Sequence, residues 1–477
     1  MENNNNNNNI KDNGNNNNIN NNGYNNLHIA MLPWLAIGHL LPFLDLAKRL
    51  AQHGHQISFF STPQNLHRLP SLPSHLSSLI SFIPLPLPPI PDLPPNASAT
   101  LDLPSDHLRP LLRKAFDSFQ HSLLPFLHSS PPHWLLFDYA AHWVPSLARH
   151  LHIKSAFVAL HNATALSFFG PPSALSGPDS RTSPEQFTQI PNWIPFPNST
   201  ITYRLYEARE LFNPGVLPDA SGVSESFRYS ASISDSDFVA IRSCHEFESI
   251  YLDLLQNLYN KPLIPFGLLP PLIHTQNSHQ IPNDLKQWLN KQTLKSVVYV
   301  AFGSEVKLSK KSVQKIALGL ELSQLPFVWV LRASEDWLPE GFGRRNEGKG
   351  VVVFGWVPQL SVLGHWAVGG FLCHGGWSSI VEGLGFGVAM VMLPMVFEQG
   401  LNARNVVEKG IGVEVVRDEN DGSFSGEDVC RSLRLVMVDD EGECFRKRAL
   451  EMKDVFGHEE LHDRYISGFI QFLWDHR

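Results

Sequence analysis

The chain is poor in several things, and each shortage narrows what it can be. It holds four cysteines in 477 residues, at positions 244, 373, 430 and 444 with no CxxC among them. That spacing fits a reducing compartment and offers no thiolate metal cluster. Charged residues make up only 17%, and acidic side chains outnumber basic ones to give a formal charge of -8, which argues against a general nucleic-acid binder. No run reaches the ~18 consecutive apolar residues that a spanning helix needs, so no membrane span is expected. A Walker A sequence is missing, which excludes a P-loop ATPase. The glycines of GLGFG (383–387) follow a helical pattern rather than a strand and make no dinucleotide fingerprint. Residues 1–26 lack an apolar core altogether. They are nearly pure Asn, cannot offset their ordering entropy, and are expected to be a disordered tail rather than a secretory signal. A cytoplasmic location is expected.

What is present is an ordinary globular composition, 43% hydrophobic, in a chain longer than one hydrophobic core usually serves, so two domains are expected. LHIAML (27–32) reads as a strand, 42–54 as a helix closing at Gly54, and QISFF (56–60) as a strand. Strand–helix–strand order begins a parallel sheet. The proline-dense run 84–95 must be loop, a candidate wall or lid over a site. A helix over 105–128, a strand at 133–137, a helix at 141–149 and strands at 153–160 and 237–243 complete the first half. Residues 261–290 are Pro-rich and polar, the best linker candidate. KSVVYVAFGS (295–304) opens a second unit. Helices at 309–322, 377–386 and 400–409 then alternate with strands at 326–330, 351–355, 371–373 and 389–393. The domain reading is an acceptor-side unit at 27–255, a linker at 256–292, a second unit at 293–456, and a terminal helix within 457–477. Two doubly wound halves place ligands in the crevice between them, at the carboxyl ends of the strands.

Several residues carry chemistry in that frame. FLC (371–373) runs through the turn HGG into WSSIVEGL, a helix whose first turn carries two hydroxyls. Its orphan N–H groups and dipole form a ready site for phosphate. His39 follows the first strand and sits at the mouth of the next helix. It can accept a proton from a hydroxyl, or simply cap the helix. Asp138 ends the strand at 133–137, where it can fix the tautomer of His39 or cap the helix that follows. Gly303 and Ser304 end another strand, as a phosphate contact or a plain turn. His458, Glu459 and His462 match HExxH, but almost no chain follows to supply a third ligand, and a solvated helix explains them better.

The stretch 356–399 resembles the signature box of the plant family 1 UDP-dependent glycosyltransferases. Trp356, Pro358, Gln359, His365, His374, Gly376, Trp377, Ser379, Glu382, Pro394, Glu398 and Gln399 stand at the expected spacing. Ser378 replaces an Asn, Glu398 an Asp and Gly375 a usual Cys. The sequences GLNAR (400–404), WSS and GHLLPFLDLAKRL resemble the branch with UDP-rhamnose:rhamnosyltransferases and sugar-chain-extending glucosyltransferases. The resemblance covers roughly residues 25–477. It implies an α/β chain of two facing Rossmann-like domains (the GT-B fold), with the donor held mainly by the second and the last helix crossing back to the first.

The resemblance also implies roles. His39 is the general base and Asp138 its partner. The indole of Trp356, next to Val357, stacks on uracil, and Gln359 and Glu382 hold the ribose. Ser304, His374, Gly376, Ser378 and Ser379 face the diphosphate. Glu398 and Gln399, with the backbone of Trp377, bind the sugar. The implied activity is inverting transfer of rhamnose or glucose from a UDP-sugar to a flavonoid or triterpenoid, or to its glycoside. The enzyme would need no cofactor or metal and is expected to be a monomer. A non-catalytic UDP-sugar or small-molecule binding protein of the same fold is the alternative.

Overall fold

The computed structural model describes residues 26–270 and 280–477. The tail expected to be disordered lies, but for its last residue, outside the described residues. The chain builds two parallel sheets. The first comprises β1 (His28–Leu32), β2 (Gln56–Ser61), β3 (Ile80–Pro84), β4 (Trp134–Phe137), β5 (Lys154–Ala159), β6 (Phe238–Ile241) and β7 (Leu263–Pro265), in the spatial order 3-2-1-4-5-6-7. The second comprises β8 (Val297–Ala301), β9 (Phe327–Leu331), β10 (Gly350–Phe354), β11 (Val368–Cys373), β12 (Ala389–Met392) and β13 (Gly412–Glu414), in the order 10-9-8-11-12-13. Helices cover both faces of such sheets, so central strands carry unbroken apolar runs. WLLF of β4 and VVYVA of β8 are buried at every residue.

Strand order reverses between β1 and β4 in the first sheet, and between β8 and β11 in the second. Loops that leave neighbouring strands in opposite directions open a crevice at the carboxyl edge, where ligands sit in doubly wound folds. Four helices bear on that crevice, α1 (Ile37–Gln52), α3 (Trp377–Gly385), α4 (Gln399–Glu408) and α5 (Glu459–Asp475), while α2 (His245–Tyr259) packs against α3 through Phe247. α5 lies on the first sheet. Ile466, Phe469, Ile470 and Leu473 join the core of β1, β4 and α1, and Trp134 Nε1 donates to the Leu473 carbonyl at 2.8 Å.

The span read as the linker, 256–292, holds regular elements among its described residues. Residues 256–259 complete α2, β7 pairs in parallel with β6, and Asn283–Asn290 is a helix whose Leu285 and Leu289 enter the second core. β7 was hidden because it is three residues long, preceded by Pro262 and ending on Pro265. The single helix read over 105–128 is two, Arg109–Asp117 and Phe119–Ser129, broken at Ser118. The halves meet through buried polar contacts: Asn162 Nδ2 donates to Asn402 Oδ1 at 2.9 Å, and Arg404 forks onto Glu207 at 3.1 and 2.7 Å.

Candidate active site

Between the carboxyl edges of the sheets lies a cavity of about 1290 Å³. It exceeds the ~300–1000 Å³ typical of a site for one drug-sized ligand, leaving room for two. Thirteen of the fourteen residues singled out from the sequence line it, and Asp138, the exception, stands directly behind His39.

His39 belongs to the first turn of α1 and Asp138 follows β4, so the reversal of strand order sets them side by side. The Asp138 carboxylate only accepts, so His39 Nδ1–H donates to Oδ2 at 2.7 Å and Nε2 is left as the basic nitrogen. The Trp34 N–H also donates to Oδ2, at 3.1 Å, and the Tyr139 N–H donates to Oδ1, at 2.8 Å. Asp138 therefore caps the 3-10 turn Tyr139–Ala141 and orients His39 at once, whereas the helix it was expected to cap starts at Val144, beyond its reach, with no side-chain cap. Burial alone would lower the His39 pKa. The charge and hydrogen bond of Asp138, helped by Glu305 and Glu398, outweigh it and raise the imidazole above its ordinary value.

The opposite wall is the loop after β11 and the start of α3. Gly375 has φ +85° and Gly303 φ +65°, backbone that favours glycine. A Cβ at Gly303 would lie 2.6 Å from His374 Cε1, so the bare backbone lets the imidazole sit against the turn that carries Ser304. His374 is 7% exposed and its Nδ1 has no hydrogen-bond partner. Burial pulls its pKa down to about 4; Glu398 resists this and Arg332 adds to it. It is therefore neutral at pH 7. As a neutral imidazole it can offer a diphosphate a hydrogen bond. Gly376 caps α3, and the N–H groups of the first turn, with the hydroxyls of Ser378 and Ser379, open on the cavity. Ser378 Oγ accepts from Arg242 Nη1 at 2.8 Å.

The two tryptophans part company. Trp356 is 67% exposed at the cavity wall, beside buried Val357. Trp377 is 4% exposed. Its indole stacks on Phe247, meets Phe456 edge-on, and donates to the Arg242 carbonyl at 3.1 Å. It is core packing, and what the residue offers a ligand is main chain. Deeper along α3, Gln359 Nε2 donates to Glu382 Oε2 at 2.6 Å and Gln359 Oε1 accepts from Tyr299 at 3.3 Å. Burial pushes Glu382 up to about 6, against the pull of Gln359 and Arg242. Glu398 faces His161 Nε2 at 3.5 Å. Burial would raise its pKa, but the His161 charge and hydrogen bond bring it below the usual range. Gln399 Oε1 accepts from the N–H groups of Met395 and Val396, both at 3.0 Å. Its carbonyl end is thus spent on the loop, and only its amide end can meet a sugar.

The first-sheet half of the cavity is aromatic, with Phe169, Phe187, Tyr203 and Tyr229 in its wall. No residue of the proline-rich run 84–95 lines it. Leu85, Leu87 and Leu93 of that run pack on the first core instead, because apolar side chains between prolines cover the sheet edge. The sequence reading missed His161 and Arg242, which follow β5 and β6 as Asp138 follows β4; the same strand-end position was their signal. HExxH is structural. His462 Nδ1 accepts from the Leu268 N–H at 3.1 Å and Nε2 donates to the Val455 carbonyl at 2.8 Å, leaving neither nitrogen for a metal.

Comparison with known proteins gives a consistent result. Residues 247–456 match the model of the family described as UDP-glucoronosyl and UDP-glucosyl transferase. UDP-glycosyltransferase 91C1 of Arabidopsis thaliana is 49% identical over 94% of this chain and 96% of its own length. Soyasaponin III rhamnosyltransferase of Glycine max is 40% identical, covering 94% of this chain and 96% of that one. A UDP-glucosyltransferase from Polygonum tinctorium, solved in complex with 3,4-dichloroaniline and capable of glucosylating indoxyl, superposes with a TM-score of 0.77. It is 25% identical and covers 95% of this chain and 99% of that one. With its two Rossmann-like domains in the GT-B arrangement, the chain belongs to the plant family 1 UDP-glycosyltransferases.

Proposed function

We propose that this protein is an inverting glycosyltransferase that moves rhamnose or glucose from its UDP-sugar to a hydroxyl of a plant secondary metabolite or its glycoside, of flavonoid or triterpenoid type. One observation carries the reading: the His39–Asp138 pair and the open start of α3 line the same cavity. His39 Nε2 takes the proton of the acceptor hydroxyl, and Asp138 stabilises the imidazolium. The freed oxygen forms a bond to the anomeric carbon as the bond to UDP breaks, and that electron pair passes to the diphosphate. Charge growing there meets the N–H groups and hydroxyls of α3. Trp356 stacks on uracil, Gln359 and Glu382 hold the ribose, and Glu398 and the Gln399 amide hold the sugar. One displacement inverts the anomeric centre. Identity with the soybean rhamnosyltransferase favours rhamnose. The wall of Phe169, Phe187, Tyr203 and Tyr229 suits a flat amphipathic acceptor.

The test is transfer by the purified chain from UDP-rhamnose and UDP-glucose to a panel of flavonoid and triterpenoid glycosides, with products read by mass spectrometry. One donor is expected to give product. UDP binding with no transfer to any acceptor would favour a binding protein, and a folded chain that binds no UDP would overturn the reading.

A further inference from the structure

Among the described residues six arginines are buried. Five meet a carboxylate: Arg49 with Asp463, Arg109 with Glu305, Arg113 with Asp219 and Glu225, Arg228 with Asp117, and Arg404 with Glu207. Arg242 is the sixth. It is 5% exposed and lines the cavity. Its Nε donates to the Leu268 carbonyl and its Nη1 to Ser378 Oγ, both at 2.8 Å and both neutral acceptors. No carboxylate of the described residues lies within the 4.0 Å of an ion pair. Asp45 and Glu382 act on it only from farther away, and Glu382 is engaged by Gln359. Burial draws the guanidinium down to about 10, so it remains a cation at neutral pH. A buried cation without a counter-ion is costly, and an anion arriving beside it removes that cost.

The opposite deficit stands next to it. The start of α3 offers N–H dipoles and hydroxyls, and its imidazole, His374, is neutral. Arg332 also lines the cavity, but it is exposed, and Nη1 and Nη2 are tied to the carbonyls of Ser304 and Val306. Its charge is therefore shared between solvent and Glu305, which acts on it through space. We propose that Arg242, reaching across from the end of β6, is the counter-charge for the donor's diphosphate, held in position by Ser378. This rests on the reading of the α3 start as the diphosphate site. Arg242 also receives the Trp377 indole N–H on its carbonyl, so its side chain and main chain both bind α3. Donor binding thereby closes a charge shared between the two sheets.

The experiment is calorimetric titration of the full chain with uridine, UMP and UDP. Wild type should bind UDP much more tightly than uridine. Arg242→Gln should weaken UDP on the order of 30-fold, the loss expected for a charge-assisted hydrogen bond, while uridine stays within about twofold. A UDP-to-uridine ratio unchanged by Arg242→Gln, with wild type still preferring UDP, overturns the role of Arg242 alone. A wild type with no preference for UDP overturns the diphosphate reading and this inference together. Should Arg242→Gln lose uridine as well, Arg242→Met decides, since it keeps an apolar stem for packing and removes the charge. Uridine retained with UDP weakened on the order of 30-fold supports the assignment, and an unchanged ratio contradicts it.

Discussion

At the His39 end of the cavity the carboxylate that serves the imidazole comes from the same sheet, and its oxygens are held by main-chain N–H groups. At the α3 end the second sheet supplies dipoles, a neutral imidazole and two hydroxyls, and the nearest buried cation reaches in from the first sheet. The contrast follows from the two tasks. A base must have a stable, slightly raised affinity for a proton before substrate arrives, so its partner is built in. A leaving diphosphate brings its own charge, and a site that already held a matched ion pair would have nothing to give it.

His39→Ala breaks the first end outright. It is expected to lower kcat by about 1000-fold while UDP affinity stays near wild type; turnover kept near normal would remove His39 as the base. Asp138→Asn comes next, with a loss of about 100-fold, the lower end of what a positioned base contributes. Asp138 raises the His39 pKa, so the acid limb of the rate profile, which climbs as His39 loses its proton, should move to lower pH in the variant. A limb that stays in place would mean Asp138 only holds geometry. At the other end, Trp356→Ala should weaken uridine and UDP alike by about 10-fold, the scale of one base–aromatic stack. That equal loss separates base binding from the charge terms at α3. The smallest effect is expected at Glu382. Because burial lifts it to about 6, it becomes protonated as pH falls through 6, and UDP should then bind a few-fold more weakly. Glu382→Gln should flatten that dependence, as titration calorimetry between about pH 5 and about pH 8, which brackets the raised Glu382 value, would reveal.

Much of this was legible in the residues. Apolar runs alternating with helical stripes gave the central strands of both sheets but not β3, β7 or β13, and HGG before WSSIVEGL marked the start of α3. That Trp377 offers a ligand only main chain fits its place in the i, i+3, i+4, i+7 stripe Trp377, Ile380, Val381 and Leu384 of a buried helix face, whereas Trp356 belongs to no such stripe. β7 was too short and too proline-bound to register as a strand. Arg242 was beyond reach for another reason. Its position at a strand end could be seen, but its acceptor Ser378 is 136 residues away, and the lack of a counter-ion exists only once the fold has excluded every carboxylate from its side. A sequence shows which groups are present. Only the packed structure shows which are left unmatched.

The most direct test of the division between base and leaving group is the anomeric configuration of the product, read by NMR from the H1 coupling and cross-ring contacts. A base in the first sheet opposite a diphosphate held by α3 demands single inversion: a β-glucoside from UDP-α-glucose, or an α-L-rhamnoside from UDP-β-L-rhamnose. A product that keeps the donor's configuration would contradict that arrangement.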